Sequence, residues 1–215
     1  MSAADQEVVV FCLPDPEHCA GAVSWLEDSE KERADRLRRI EDRALFIGAH
    51  ALLHFSLWRQ GGRRDLAIVT DPCGKPRLSD NSLQFSLSHS SGMALCAVSR
   101  GAALGVDVER IDPQAATAAL AAEVFCPAEQ DWIGKSAERF FALWTVKEAL
   151  FKAAGEVWSD QWRYRSVLSA LSGSGWQGHW VERRRLGGLH LAALAVASPV
   201  APPVAWRMVT PDEIA

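Results

Sequence analysis

A chain of 215 residues, 48% of them hydrophobic, is long enough for one large core or for two small units sharing one. Its formal net charge of −4 argues against general nucleic-acid binding, which needs a basic face. No apolar run reaches the roughly 20 residues that span a bilayer, so no membrane association is expected, and the acidic start with Asp5 and Glu7 does not read as a secretory leader.

Glu7–Leu13 is a β-branched and aromatic run and predicts a buried strand. Ala22–Arg39 carries a helical pattern with a break near Asp28 and Ser29, where a new N-cap can begin. Ile40–Trp58 is a stronger helix, with Leu45, Phe46, Ala49, Leu52, Leu53 and Leu57 on its apolar face and Gly61-Gly62 to close it. Leu66–Thr70 predicts a short strand, followed by turn chemistry in Asp71-Pro-Cys-Gly-Lys-Pro76. Leu83–Leu87 alternates apolar and polar residues, Ser88–Gly92 reads as a turn, and Met93–Val98 as a buried strand. With Leu104–Glu109 these predict a three-stranded meander. Helices are expected over Ala115–Val124, Pro127–Ile133 and Ala137–Ala154, then a hairpin of Gln177–Arg184 and Leu189–Ala197 around Gly187-Gly188, and a last strand over Val204–Val209.

Five cysteines (Cys12, Cys19, Cys73, Cys96 and Cys126) form an odd set without a Cys-x-x-Cys pair. Neither a disulfide framework nor a zinc site is expected, and a cytoplasmic location follows. Basic residues cluster at Lys31, Arg33, Arg36, Arg38, Arg39 and Arg43 and again at Arg183–Arg185. Interleaved acids suit a solvated face; a phosphate-rich ligand or an acidic partner is the other reading.

Two stretches carry chemistry. In Leu104-Gly-Val-Asp-Val-Glu-Arg110 the period of two turns Leu104, Val106 and Val108 toward a core and leaves Gly105, Asp107 and Glu109 facing outward together. Paired carboxylates of this kind suit Mg²⁺, which takes one or two of them along with substrate phosphates; a solvated strand face is the plainer account. In Phe140–Gly155, Phe140, Leu143, Val146 and Leu150 form a buried stripe, while Trp144, Glu148 and Lys152 share another face at intervals of four. Glu148 and Lys152 read either as an exposed ion pair or as a third metal carboxylate and a phosphate clamp. His89 continues the apolar face of Leu83, Phe85 and Leu87, which suits a core histidine.

Gly105-Val-Asp-Val-Glu109 followed by Trp144-Thr-Val-Lys-Glu-Ala-Leu-Phe-Lys152 resembles the two signature motifs of the 4′-phosphopantetheinyl transferases. Chain length and the mid-chain position of the first motif resemble the surfactin-synthetase type. The resemblance implies an α+β fold of two similar subdomains related by a pseudo-twofold, residues 1–100 on the nucleotide side and 101–215 with the metal site, and an active site in the cleft between them. It implies transfer of the 4′-phosphopantetheine group of coenzyme A to a serine of an apo acyl or peptidyl carrier protein, with release of 3′,5′-ADP by a monomeric enzyme. It further implies Mg²⁺, with Mn²⁺ a substitute, on Asp107, Glu109 and Glu148. Asp107, Glu148 and Lys152 would be catalytic, and Arg43, His50, Lys75, Ser88, His89 and Lys152 would contact coenzyme A. Glu129 would belong to the outer part of the site. Ser86 and His54 stand where relatives commonly have asparagine and arginine. A non-catalytic relative that binds coenzyme A or a carrier is the alternative, and the absence of a Gly-x-x-x-x-Gly-Lys-Ser/Thr loop weighs against a nucleotide kinase. For carrier docking, Ala115–Trp132 offers apolar Phe125 and Trp132 but acidic Glu123, Glu129 and Asp131; Phe125 suits either that patch or the core.

Overall fold

The computed structural model describes residues 7–156, 160–173 and 175–214; Asp5, used above, lies outside them. The fold is α+β. Strand β1 (Val8–Pro14) is buried over nearly its whole length because both of its faces are covered. Val9, Phe11 and Leu13 join one core with the helix α2 (Ile40–Gly61), while Val8, Val10 and Cys12 join a second. A 3₁₀ turn at Ala20–Trp25 and the helix α1 (Asp28–Asp35) lead into α2. The break near Asp28 is where expected, and Glu27 and Glu30 form a capping box across it. α2 ends at Gly62, whose φ of 75° a side chain would resist.

After a small hairpin of β2 (Ile68–Thr70) and β3 (Pro76–Leu78), β4 (Gln84–Ser90) and β5 (Met93–Ser99) pair antiparallel. Ser88 and His89 thus lie in a strand, and the turn is confined to Ser91 and Gly92. The expected meander stops there. β6 (Leu104–Arg110) pairs instead with β8 (His190–Val196), which pairs with β7 (Trp180–Leu186), giving a sheet ordered β6-β8-β7. A strand's own periodicity does not choose its partner, and the apolar run His190–Val196 supplies a partner for β6 from 80 residues downstream. The first sheet is ordered β4-β5-β1-β9, where β9 (Val204–Met208) runs parallel to β1. The last strand and the short helix α7 (Pro211–Ile214), whose Ile214 enters the first core, therefore join the N-terminal layer.

The two sheets face each other across a central core of Val8, Val10, Leu95, Val106, Val108 and Leu194 among others. α2 covers the outer face of the first sheet, and α5 (Ala137–Ala154) covers that of the second. α3 (Ala118–Val124), α4 (Pro127–Ile133) and α6 (Asp160–Tyr164) flank α5. Phe125 is fully buried, edge-on to Phe140 and Trp144, so the docking role considered for it gives way to a core role. Glu129 is also fully buried and pairs with Lys147 at 2.7 Å, with further bonds from the Cys126 and Val167 amides. It holds α4 onto α5 and lies in the core, away from the outer site expected for it.

Candidate active site

The site lies where the two sheets meet at a seam and β4 runs alongside β6. About 350 Å³ of open space there is lined by Leu87, Ser88, His89, Asp107, Glu109, Trp144, Glu148 and Lys152. β4 supplies Ser88 and His89, β6 supplies Asp107 and Glu109, and α5 supplies Trp144, Glu148 and Lys152 from one face, as their spacing of four requires.

Gly105 makes this meeting possible. A Cβ there would stand 2.1 Å from the Ala149 carbonyl oxygen and 2.5 Å from the Ala153 nitrogen, so only glycine lets α5 lie this close to β6. The close approach buries the face of β6 expected to point outward, and Asp107 is only 3% exposed. Its Oδ1 accepts from Ser88 Oγ at 2.8 Å and from Lys152 Nζ at 2.6 Å. Lys152 therefore does not form the simple exposed pair with Glu148; it crosses to the strand and also donates to the Val106 carbonyl at 3.2 Å.

The electrostatics follow from three carboxylates sharing one partly dry cleft. Burial, then the charge of Asp107, raises Glu109 to about 7, against the opposing effects of Ser90, Lys152 and Trp144. Burial and Asp107 also raise Glu148. Asp107 Oδ2 is buried with no hydrogen-bond partner in the protein. An orphaned oxygen beside two reluctant carboxylates fits a hard cation, whose preferred donors are oxygens. Among the described residues, no three His, Cys, Asp or Glu side chains stand close enough together to hold a metal ion as they are placed.

His89 is exposed into the cleft, which replaces the core-histidine reading: β4 is at the edge of its sheet and its strand end runs out beyond the apolar face. Partial desolvation, then the nearby His50 and Lys152, lower its pKa. Lys75 lies behind Lys152, donating to the Lys152 carbonyl at 2.5 Å and the Leu104 carbonyl at 3.2 Å, and burial lowers its pKa. It borders a second pocket of about 230 Å³ with Phe85, Leu87, Phe151 and Lys152. His50 stacks on Phe46 and bonds Glu30 at 2.7 Å, and His54 takes the other Glu30 oxygen at the same distance. Arg43 sits apart on the surface, paired with Asp35 at 2.5 Å.

Sequence reasoning missed Glu30, the buried anchor of both histidines, and Ser90, and it noted Ser86 only as a departure from relatives; both serines flank Ser88 on β4. The alternation of Ser86, Ser88 and Ser90 with Phe85, Leu87 and His89 was the available signal.

Comparison with known proteins agrees with the two motifs. Residues 103–175 match the family model of the 4′-phosphopantetheinyl transferase superfamily. The chain is 32% identical over 142 residues to the 4′-phosphopantetheinyl transferase HetI of Nostoc sp., covering 61% of this chain and 60% of that protein. It is 39% identical over 97 residues to the 4′-phosphopantetheinyl transferase psf-1 of Bacillus pumilus, covering 42% and 40%. Against the 4′-phosphopantetheinyl transferase Sfp of Bacillus subtilis it is 25% identical over 142 residues, covering 62% of each. Each match spans less than two thirds of the relative's length. The segment 103–175, with β6 and α5 in it, is thus similar to the 4′-phosphopantetheinyl transferase superfamily. Among the described residues no helix is long and apolar enough to cross a membrane.

Proposed function

We propose that this protein transfers the 4′-phosphopantetheine group of coenzyme A to the serine hydroxyl of an apo acyl or peptidyl carrier protein and releases 3′,5′-ADP. The observation that carries the reading is the convergence of Asp107, Glu109, Glu148, Lys152 and His89 on one cleft, inside or beside the segment shared with the superfamily.

Asp107, Glu109 and Glu148 would hold Mg²⁺, or Mn²⁺ in its place; the partnerless Asp107 Oδ2 supports this. A bound divalent ion there would neutralise the pyrophosphate and ease departure of the nucleotide phosphate. Lys152, anchored on Asp107, is close enough to the cleft to offset charge that develops on the pyrophosphate oxygens. His89 would donate to a phosphate from the opposite wall, with His50 behind it toward the nucleotide end. Arg43 and Lys75 would add positive charge at the edges of that path, and Ser88 would act mainly by fixing Asp107. Glu148, which faces the cleft from α5, or a water on the ion would take the proton of the attacking hydroxyl. The apolar pocket beside Lys152, walled by Phe85, Leu87 and Phe151, has room for a pantetheine arm.

For the carrier, the groove on the other side of Glu109 replaces the Phe125 patch. Ile111, Ala115 and the half-exposed Leu189 give it apolar surface, and its charges are mixed, Arg110 standing beside Glu109 and Asp112. We read the helix-sheet-sheet-helix order as two related halves of a monomer, and the five thiols, all free, suit a reducing cytoplasm. The test is incubation with apo-carrier, coenzyme A and Mg²⁺ followed by intact-protein mass spectrometry.

A further inference from the structure

The seam between the two sheets is closed by serine side chains. β6 is an edge strand of its sheet, and the amides of Val106, Val108 and Arg110 point toward β4. An exposed edge of this kind normally needs a partner strand or a cover. Here the Val106 amide donates to Ser86 Oγ at 3.1 Å, the Val108 amide to Ser88 Oγ at 3.3 Å, and the Arg110 amide to Ser90 Oγ at 3.1 Å. The offset is constant, so the two strands run parallel with hydroxyls in place of a backbone ladder.

A serine hydroxyl has two acceptor lone pairs and a single proton. Once an amide donates into it, the proton is free to go elsewhere. Ser88 sends its proton to Asp107 Oδ1, and Ser90 sends its own to Glu109 Oε2 at 3.0 Å. Ser86 stands opposite Gly105 and Val106, where no carboxylate is available. The same backbone contact is thus made three times, and at two positions it is coupled to a carboxylate of the cleft.

We infer that Ser90 is a positioning residue for Glu109: tethered to the Arg110 amide, its hydroxyl fixes the carboxylate that would ligate the divalent ion. This rests on the proposed reading of the cleft as a metal-dependent transferase site. Glu109 is the one that most needs such a tether, because it is at the open end of β6 where burial fades. Partners of this kind, one step behind a ligand, commonly affect metal affinity by about 10–100-fold.

The experiment compares Ser90→Ala, Ser90→Thr and Ser86→Ala with the wild-type chain, measuring Mn²⁺ binding by EPR with and without saturating coenzyme A, and melting temperature beside it. Ser90→Ala is expected to weaken Mn²⁺ binding about tenfold or more, and Ser90→Thr, which keeps the hydroxyl, to restore most of it. Ser86→Ala loses an equivalent backbone contact, so it is expected to lower the melting temperature as Ser90→Ala does while Mn²⁺ affinity stays at the wild-type value. Equal Mn²⁺ affinity in Ser90→Ala and wild type, or an equal loss in Ser86→Ala, would overturn the proposal and leave Ser90 a seam residue only. A wild-type chain that binds no Mn²⁺ in either condition would overturn the reading of the cleft itself, and this inference with it.

Discussion

Lys152 Nζ lies 2.6 Å from Asp107 Oδ1, and the other oxygen of that carboxylate is buried without a partner. The pair joins α5 to β6 across the contact that Gly105 permits. One lysine stands among three carboxylates, and its charge only partly offsets the effect of Asp107 on Glu109 and Glu148. The arrangement is costly for the protein alone, and a cation bound there would relieve it.

That cost has a pH signature. The Glu109 carboxyl sits at about 7, raised by burial and by Asp107, against an ordinary value of 4.5. Between those two values the folded chain holds a proton that the unfolded chain has released, so stability falls as pH rises through the window. The metal-free protein is expected to lose melting temperature from about pH 5 to pH 7 through this group. Glu109→Gln should flatten that fall, and Mg²⁺ should oppose it in the wild type. A scan of melting temperature against pH for both chains, with and without Mg²⁺, checks it; identical slopes in the two would contradict the assignment.

Lys147 and Glu148 are neighbours with opposite tasks. Lys147 is fully buried against Glu129, while Glu148 faces the cleft. Breaking a buried pair on one side typically costs about 3–5 kcal/mol, so Glu129→Ala should lower the melting temperature by roughly 6–20 °C for a chain of this size. Glu148→Gln should barely move it while reducing transfer. Calorimetry and a transfer assay on the two variants separate the roles.

Glu30 is a comparable clasp in the N-terminal layer. Burial works to raise its pKa, but hydrogen bonds from His50 and His54 outweigh that and hold the carboxyl well below the usual range. Glu30→Gln should cost about 2–3 kcal/mol, because charge-assisted bonds are lost from a buried group that also caps α1. It should also free His50 and thereby weaken coenzyme A binding, measured by calorimetric titration. Loss of stability with unchanged coenzyme A affinity would confine the triad to a structural role.

Gly105→Ala should be among the most damaging single-methyl changes in the chain. The added carbon would meet helix backbone at 2.1 Å, and backbone cannot swing aside as a side chain can. Overfilling of a tight contact typically costs about 1–3 kcal/mol, and the displacement of α5 would carry Lys152 away from Asp107. The expected result is a lowered melting temperature together with loss of transfer.

The elements of the site were readable where the signal was local. The alternation of Val106 and Val108 with Asp107 and Glu109 marked a strand, and the interval of four marked Trp144, Glu148 and Lys152 as one helix face. Burial of Asp107 was not readable, since it depends on α5 lying across β6, a contact between segments about 40 residues apart. The same holds for the seam. Ser86, Ser88 and Ser90 look like the polar face of an edge strand, and only the parallel approach of β6 gives their hydroxyls amides to accept from. His89 looked like core because parity alone was used; the end of β4 runs past the helix that covers its beginning. Cys126-Pro-Ala-Glu129 has the spacing of a capping box, which marks the start of α4; the burial of Glu129 against Lys147 depends on α4 packing on α5 and was not readable locally.

The central claim is that the cleft around Asp107, Glu109, Glu148 and Lys152 catalyses phosphopantetheinyl transfer with a divalent ion. Intact-protein mass spectrometry of an apo-carrier incubated with coenzyme A, Mg²⁺ and the wild-type chain, with Asp107→Asn in parallel, tests it most directly. The account predicts that the carrier gains one phosphopantetheine group on its serine, that 3′,5′-ADP accumulates in step, and that chelation of the metal or Asp107→Asn removes both products. An unmodified carrier across acyl and peptidyl types, or full transfer by Asp107→Asn in the presence of chelator, would contradict it.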